Sequence, residues 1–496
     1  MLDLPIVSIS ILLPLFSALY ITFFISHSRS QRKQIYAVYV AILSSVLTLI
    51  ATTYLLFSFD KYQGSFQFVE RYPWIDKIGL EYFVGVDGLS LFFIFLTALL
   101  SLVCIIASLF TIKKYIKEFL LCFLLLESFC IGAFSSLNLL LFYGFFEVIL
   151  IPMYIIIGVW GGENRIYAAV KFFLYTFWGS VFFLLALIYI YTQTGTFNIP
   201  ELNTLLPQLP CGVQKILWIA MFISFAVKVP MPPFHTWLPD AHVQAPTAGS
   251  VMLAGILLKL GGYAFLRISL PMLPSASEAF SEYVIWISSF AVVYASLVAY
   301  VQTDMKKMIA YSSVAHMGYV TGGIFSFTEK GINGAIFQMI SHGLISAALF
   351  LIVGILYDRH HTKEINKYGG VAASMPILAT LFMIAMLGSI GLPGLSGFIG
   401  EFLSIAGIYE VNPFMGVVCA FGVVLGAIYM LKLYKGVIFG QVTNQNVAKF
   451  EDLYLYEKAA LIPLIILVIY IGILPSDVLR IIQLPVMKIA DLYGGL

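Results

Sequence analysis

Residues 224–250 read "SFAVKVPMPPFHTWLPDAHVQAPTAGS" and separate two long apolar runs. The stretch contains five prolines, one lysine, two histidines and one aspartate. Proline removes a backbone hydrogen-bond donor and breaks a helix, and a lysine is costly in hydrocarbon. Freed backbone groups inside a membrane are tolerated only where protein or water satisfies them. The stretch therefore predicts a broken membrane helix with a place where water reaches the middle of the bilayer.

The composition of the chain is that of a membrane protein. Hydrophobic residues make up 61% of the 496 residues, charged residues only 10%, and the mean hydropathy is +0.97. A soluble domain of this length needs far more polar surface, so we expect lipid to be the main solvent. The net charge of +2 gives no general attraction for nucleic acid. Five scattered cysteines without a C-x-x-C motif argue against disulfides, zinc and iron–sulfur clusters in this chain.

The apolar runs predict an all-α integral membrane protein with about fourteen transmembrane helices, since each span needs roughly 20 apolar residues. Spans 7 and 12 are interrupted by proline and glycine, and the amphipathic tail at residues 476–496 predicts a helix at the membrane interface. The spans are predicted near 5–26, 36–58, 88–112, 119–136, 138–160, 168–192, 213–250, 247–270, 279–301, 305–325, 331–357, 374–411, 412–437 and 457–475.

Charged residues in the predicted loops indicate the orientation of the chain. Basic residues concentrate in the loops that follow odd-numbered spans, whereas the other loops are mainly acidic. The positive-inside rule then predicts that both termini face away from the cytoplasm, or from the mitochondrial matrix. The basic loop residues are Arg29, Arg32, Lys33, Lys113, Lys114, Lys117, Arg165, Lys306, Lys307, Arg359, Lys363, Lys367, Lys435 and Lys449.

Seven titratable residues fall deep within the predicted spans. A charge at the bilayer centre costs about 3 kcal/mol on insertion scales, so each such residue indicates either function or a structural ion pair. Acids, lysines and histidines in series suit a proton relay because each accepts and releases a proton, whereas arginine stays protonated. The seven are Glu127, Glu147, Lys228, Lys259, His316, His342 and Glu401. Lysine and arginine near helix ends are instead explained by snorkelling to the interface, namely Lys171, Arg267 and Lys432.

The two interrupted spans suggest an internal repeat. Residues 226–242, "AVKVPMPPFHTWLPDAH", and residues 387–402, "LGSIGLPGLSGFIGEF", each combine a break with one deep ionisable group. Breaks five helices apart predict two five-helix repeats, spans 4–8 and 9–13, which an odd helix number makes inverted in topology. The predicted divisions are an N-terminal three-helix segment (1–118), the two repeats (119–272 and 273–437), and a last span with its interfacial tail (438–496).

Three segments resemble the antiporter-like membrane subunits of respiratory complex I and of multisubunit cation/proton antiporters. They are "VKVPMPPFHTWLPDAHVQAPTAGSVMLAGILLKLGGYAFLR" (227–267), "TDMKKMIAYSSVAHMGYV" (303–320) and "ISHGLISAALFLIVGILYDR" (340–359). Complex I has three such subunits, and the types called L and N in bacteria carry a lysine where this chain has Glu401. The third type, related to mitochondrial subunit 4, has a glutamate there, and residues 145–176 also resemble it.

The resemblance implies a proton-translocating membrane subunit of NADH:quinone oxidoreductase that binds no cofactor itself. NADH, FMN, iron–sulfur clusters and quinone would belong to partner subunits, because quinone reduction there would drive the translocation. The implied partners are other membrane-arm subunits, notably the L and N types, together with the lipid bilayer. The implied location is a bacterial inner membrane, or the mitochondrial inner membrane if the protein is organellar.

The resemblance also implies roles for the deep residues. Glu147 in span 5 would pair with Lys228 in span 7, and Lys259 in span 8 would be the central relay site. Glu127 in span 4 would be a secondary acid. Three relay residues would continue the polar axis toward the exit side, namely His316, His342 and Glu401. Three polar residues beyond the first break either help protons enter or satisfy freed backbone groups, namely His235, Asp240 and His242.

Three other functions fit part of the sequence. A subunit of a multisubunit cation/proton antiporter of the Mrp type would use the same lysine–glutamate pair without a redox partner. A purely structural scaffold would leave the deep charges without a purpose. A solute permease would need a binding pocket at the breaks, whereas the polar residues extend through spans 4, 5, 7, 8, 10, 11 and 12.

Overall fold

The structure of the protein is a computed structural model that describes residues 4–24, 31–75, 79–109, 111–442, 444 and 446–494, without the side chains of 31–34. Arg29, predicted to lie in the first basic loop, falls outside the described residues, as do the side chains of Arg32 and Lys33. Twelve helices in the described part of the chain are long and apolar enough to cross a membrane. The predicted class, an α-helical integral membrane protein, is confirmed.

The helices follow one another along the chain with short connections. The first part of the bundle contains α1 (Ile6–Phe24), α2 (Gln31–Ser58), α3 (Leu91–Ser108), α4 (Ile116–Ser135), α5 (Leu139–Val148), α6 (Leu150–Trp160), α7 (Arg165–Thr194), α8 (Ile199–Leu205), α9 (Cys211–Lys228), α10 (Trp237–Gln244), α11 (Thr247–Met252), α12 (Leu258–Ala264) and α13 (Leu270–Met272). The second part contains α14 (Pro274–Val301), α15 (Met305–Phe325), α16 (Glu329–His360), α17 (Val371–Ser374), α18 (Pro376–Ile390), α19 (Ser396–Val411), α20 (Pro413–Ile438), α21 (Leu455–Ile473) and α22 (Ser476–Asp491).

Both predicted helix breaks are present. Span 7 consists of α9 and α10, and the proline-rich segment 229–236 separates them. Span 12 consists of α18 and α19, and α18 is followed by Gly391, whose φ of +81° is a conformation that favours glycine. The helix expected in the C-terminal tail is present as α22, whose buried face includes Val478, Ile482 and Val486.

Span 5 has a third break, which the sequence analysis did not predict. Helix α5 ends at Val148 and α6 begins at Leu150. Pro152 explains the interruption, because it has no N–H to donate to the carbonyl of Val148 and its ring crowds that carbonyl. The break directly follows Glu147, so the carboxylate stands at an irregular point of the backbone.

The number of spans stays a prediction. Helix α15 is not among the twelve because its serines and histidine make it less apolar, and the two halves of span 12 are each shorter than a full span. Two of the loops that follow odd-numbered spans nevertheless lie together, as the prediction requires. The Met305 N–H donates to the Lys363 carbonyl at 2.9 Å, so the loops after spans 9 and 11 lie together. We call this side the basic face. The inverted repeat and the domain boundaries likewise stay predictions.

The centre of the bundle is formed by span 8 and α16. Both are buried along their entire most apolar stretch. Span 8 runs through α11, α12 and α13, which are separated by two π-helical turns, Leu253–Leu257 and Phe265–Ser269. Such turns shift the backbone hydrogen bonds by one residue and are frequent at functional sites. Lys259 lies in α12, directly between them.

Close packing joins α12 to the end of α9. A Cβ at Gly261 would lie 2.8 Å from the Phe225 carbonyl oxygen and 3.0 Å from the Val229 nitrogen. Only glycine permits this approach, because those atoms belong to the backbone and cannot give way. The turn that carries Lys228 therefore rests against the helix that carries Lys259.

A β-hairpin outside the bundle, which the sequence analysis also missed, holds the first helix. Strands β1 (Gln67–Ile75) and β2 (Leu80–Val86) pair antiparallel. Glu70 on β1 accepts the N–H of Val7 at 2.9 Å and the N–H of Ser8 at 3.2 Å, and it also binds the Ser8 hydroxyl. These amides belong to the first turn of α1, where no intrahelical acceptor exists. Glu70 therefore acts as the N-terminal cap of a helix 62 residues away.

The substitution Glu70→Ala should lower the stability of the protein, because the buried amides of Val7 and Ser8 lose their acceptor. The expected cost is about 1–3 kcal/mol, and Glu70→Gln should cost less because an oxygen remains. Thermal unfolding of the detergent-solubilised protein measures the effect. The control is Glu81→Ala, which removes an exposed ion pair with Arg71 and should cost under about 1 kcal/mol. Equal melting of the Glu70→Ala and Glu81→Ala proteins would contradict the capping role.

Candidate functional site

The Lys259 side chain is fully enclosed by protein. Its Nζ lies 2.7 Å from Nδ1 of His342 on α16 and also contacts the carbonyl oxygen of Ala254. Ala254 belongs to the first π turn of span 8, where backbone carbonyls leave the regular helical register. The irregular turn thus supplies an acceptor at the position where the buried ammonium group needs one.

Two histidines continue from Lys259 into the second half of the bundle. The rings of His342 and His316 lie with their centroids 5.5 Å apart. Nδ1 of His316, on α15, lies 2.9 Å from Oε1 of Glu401 on α19. All four residues are at most 6% exposed. The structure therefore brings Lys259, His342, His316 and Glu401 into one polar chain across four helices.

Two uncharged residues complete this chain, and the sequence analysis missed both. The Gln338 amide nitrogen lies 3.3 Å from Oε1 of Glu401 and 3.4 Å from Nδ1 of His316. The Ser389 hydroxyl lies 3.3 Å from Nε2 of His316. Gln338 precedes His342 by four residues and so shares its helix face, a spacing that was available in the sequence. It was overlooked because only titratable groups were considered.

Two small cavities border the chain. One, of about 10 Å³, lies among His316, His342, Gln338 and Glu401. The other, also of about 10 Å³, lies beside His316 and reaches Tyr429 on α20. Buried polar atoms without a partner among the described residues lie on the residues lining the first cavity, namely Gln338 Oε1 and Ser346 Oγ. A polar lining of this kind suits water rather than an apolar ligand.

Lys228 and Glu147 lie near each other but are not joined. The Lys228 ammonium lies 3.4 Å from the Phe146 carbonyl oxygen and 4.4 Å from the centroid of the Phe146 ring. Within the described part of the chain, no ion pair links Lys228 to a carboxylate, and Oε2 of Glu147 has no hydrogen-bond partner. The direct pair that the resemblance implies is therefore replaced here by a contact with the residue that precedes Glu147.

Glu127 lies apart from the other predicted relay residues. It is fully buried on α4, and its Oε2 accepts a hydrogen bond from the Ser45 hydroxyl of α2 at 2.7 Å. Oε1 has no partner among the residues that the structure describes. None of the described hydrogen bonds or ion pairs connects Glu127 to the chain from Lys259 to Glu401.

Three lysines on the basic face bind the second half of the first broken span, one through a carboxylate and two through backbone carbonyls. Lys171 forms an ion pair with Asp240 at 2.6 Å, Lys306 donates to the Ala245 carbonyl at 2.8 Å, and Lys363 donates to the Val243 carbonyl at 2.5 Å. Burial lowers the pKa of Lys363, which lies in a loop outside the spans. The role of Asp240 as a structural partner is thereby supported.

The two histidines of this segment are enclosed without forming hydrogen bonds. Both ring nitrogens of His235 and of His242 lack a partner in the described residues. His242 stacks on the Phe350 ring, with the centroids 4.6 Å apart, and His235 lies edge-on to Tyr294. These contacts give neither histidine a backbone group to satisfy.

Comparison with known proteins identifies the family. The family described as "NADH:quinone oxidoreductase/Mrp antiporter, TM" matches residues 136–426. The NADH-quinone oxidoreductase subunit M of Rickettsia bellii is 66% identical over 98% of both chains. The NADH-ubiquinone oxidoreductase chain 4 of Marchantia polymorpha is 47% identical over 91% of both chains.

A solved structure agrees with this assignment over the full length. A chain of respiratory complex I from Thermus thermophilus with bound NADH superposes with a TM-score of 0.90 at 28% identity, covering 99% of this chain and 100% of that chain. The resemblance inferred from residues 227–267 and from Glu401 is confirmed. The chain belongs to the NADH:quinone oxidoreductase/Mrp antiporter family of membrane subunits, and within it to the group of NADH-quinone oxidoreductase M subunits.

Proposed function

We propose that the chain moves protons across the membrane through a relay that includes Lys259, His342, His316 and Glu401. The observation that carries this proposal is the series of contacts between these residues, with a 2.7 Å contact at one end, a 2.9 Å contact at the other and two histidine rings 5.5 Å apart between them. Each member accepts and releases a proton, which proton transfer over hydrogen-bond distances requires. The cavity lined by both histidines has about the volume that one water needs, and a water there would bridge the wider step between the two rings.

The driving event is a change of charge near Lys228. The Lys228 ammonium rests on the Phe146 carbonyl, and one carboxylate oxygen of Glu147, the next residue, lacks a partner among the described residues. Movement of Lys228 between the carbonyl and the carboxylate alters the field that acts on Lys259, because the two lysines lie on elements in backbone contact at Gly261. Two nearby cations lower each other's pKa, so this movement releases or retains the proton of Lys259.

The cost of moving a charge across the membrane is similar in size to the free energy of a pKa change. Moving one charge against a membrane potential costs about 2.3 kcal/mol per 100 mV. A pKa change of one unit corresponds to about 1.36 kcal/mol, so a change of under two units covers that cost. A shift of this size is ordinary for buried groups that gain or lose a charged neighbour.

The energy itself comes from partner subunits. NADH oxidation and quinone reduction, with FMN and iron–sulfur clusters, take place in those subunits, and this chain contributes no redox chemistry. Neighbouring L and N subunits of the membrane arm are the partners, in a bacterial inner membrane or, for an organellar protein, the mitochondrial inner membrane. The alternative is a subunit of an Mrp-type cation/proton antiporter, and co-purification with NADH-oxidising subunits decides between the two.

The substitutions Lys228→Ala and Lys259→Ala should leave the complex assembled but reduce proton pumping by on the order of tenfold or more, because alanine leaves a gap beyond hydrogen-bond reach. Quenching of a pH-sensitive dye in inverted membrane vesicles, normalised to NADH oxidation, measures the effect. The matched control is Lys432→Ala, since Lys432 is exposed and contacts only the Tyr300 carbonyl and ring. Pumping at the control level in the Lys259→Ala protein would contradict the relay.

Gln338→Leu should reduce pumping several-fold while NADH oxidation and assembly persist. Leucine keeps the volume but removes the amide that lies between His316 and Glu401. Glu401→Gln should have the stronger effect, because it removes the proton acceptor itself. The same vesicle measurement applies, with Gln208→Leu as the control, since Gln208 donates only to the Thr204 carbonyl on the surface. Equal pumping by the Gln338→Leu and Gln208→Leu proteins would exclude Gln338 from the relay.

A further inference from the structure

One face of span 8 carries a second set of polar side chains beyond Lys259. Tyr263 and Arg267 follow Lys259 at intervals of four residues, the spacing of neighbours along a helix face. The Arg267 Nε donates to the Tyr263 hydroxyl at 3.1 Å, and the guanidinium forms an ion pair with Asp87, in the loop before α3. The Tyr263 hydroxyl in turn donates to the Phe134 carbonyl at 2.8 Å. The expectation that Arg267 snorkels is therefore wrong, because its side chain is buried and paired.

A large cavity reaches Arg267 from the membrane face opposite the basic face. It has a volume of about 400 Å³ and is lined by Asp87, Arg267, Asn203 and Lys488 together with apolar groups. Neither Tyr263 nor Lys259 is among the described residues that line it. The polar cavity thus ends at the Asp87–Arg267 ion pair, on the side of the membrane to which protons would be delivered.

An aromatic cluster lies between this ion pair and Lys259. Tyr263 is surrounded by Phe93, Phe134 and Phe142, with ring centroids 6.2, 5.2 and 6.3 Å from its own. Phe93 and Phe134 also stack on each other at 5.1 Å. All four rings are at most 1% exposed. Side chains packed in this way leave no room for a file of water along span 8.

We propose that Arg267, held by Asp87, and the aromatic cluster around Tyr263 form a proton seal that separates Lys259 from the opposite membrane face. Arginine keeps its proton under all physiological conditions, so Arg267 cannot pass a proton on. As long as Arg267 is present it also neutralises Asp87, so that this carboxylate does not attract or accept a proton beside the path to Lys259. Asp87 makes the buried charge tolerable by pairing with it. The seal rests on the proposed function, since it matters only if Lys259 exchanges protons.

The seal explains why the relay leaves span 8 and continues laterally through neighbouring helices. A proton on Lys259 has a short path along span 8 to the cavity, but the aromatic rings and the guanidinium close that path. The open contact is instead the one to His342, which leads laterally to Glu401. Without the seal, protons on the delivery side would return through Lys259 and the pumped gradient would be lost.

A passive leak measurement tests the seal without any NADH turnover. The assembled complex is reconstituted into liposomes that contain a pH-sensitive dye, a pH step is imposed, and the rate of equilibration is followed. Arg267→Gln should raise the leak about tenfold, the factor expected for removing a unit charge about 12 Å along the helix from Lys259 at an effective dielectric constant of about 20. Arg480→Gln is the matched control, because Arg480 is exposed on α22.

Variants of Tyr263 test the aromatic cluster independently of the ion pair, because they leave Arg267 and Asp87 unchanged. Tyr263→Ala should raise the leak by opening the aromatic cluster, whereas Tyr263→Phe keeps the ring and should leave the leak near that of the unaltered protein. The double variant Arg267→Gln/Lys259→Ala should return the leak to its basal rate, since the path through Lys259 is then interrupted. Assembly of each variant is checked by recovery of NADH-oxidising activity in the purified complex.

Two results would overturn the seal. One is a basal leak in both the Arg267→Gln and the Tyr263→Ala complexes, and the other is a raised leak that persists in the double variant. Failure of the proposed function looks different: the Lys259→Ala protein would then still pump protons when NADH is supplied, whatever the leak rates are. The two failures are therefore distinguished by whether NADH-driven pumping or the passive leak is affected.

Discussion

A lysine ammonium enclosed by protein needs acceptors for its protons within the bundle, because water cannot surround it there. Lys259 finds two: the carbonyl of Ala254 and a ring nitrogen of His342. The first is available because span 8 is irregular at that turn, and the second because α16 runs buried beside it. Much of the architecture serves these two requirements. The central position of span 8, its π turns and the histidine on α16 together keep one buried amino group hydrogen-bonded.

Each of the two broken spans carries one buried ionisable residue, and different groups stabilise these two residues. Lys228 is the last residue of α9 and lies before its break, whereas Glu401 lies about one and a half turns after the start of α19. Lys228 uses a backbone carbonyl and an aromatic ring, and Glu401 uses a histidine and a glutamine amide. The cation is thus stabilised by acceptors and the anion by donors. In both cases the stabilising groups come from neighbouring helices, namely α5 for Lys228 and α15 and α16 for Glu401.

The sequence was sufficient for features with a local cause. Proline and glycine predicted the breaks of spans 7 and 12, and isolated charged residues in apolar runs identified Lys259 and Glu401. Features that depend on distant partners were missed or misread. Arg267 is explained by Asp87, which is 180 residues away, and the separation of Lys228 from Glu147 depends on side-chain positions at an unexpected break. No characteristic residue type marks the π turns of span 8 in the sequence. Gln338 gives no signal because its side chain is uncharged.

Both ends of the described chain are tied to residues that are distant in sequence. The first helix takes its N-terminal acceptor from Glu70, which lies on the hairpin after α2. The loop before the hairpin is bound by Lys488, and the end of span 8 by the Tyr493 hydroxyl, which donates to the Leu270 carbonyl at 2.9 Å. Both contacts come from α22 and the residues that follow it. The C-terminal tail therefore anchors two points that are far from it in sequence, and a chain shortened before α22 would lose both anchors at once.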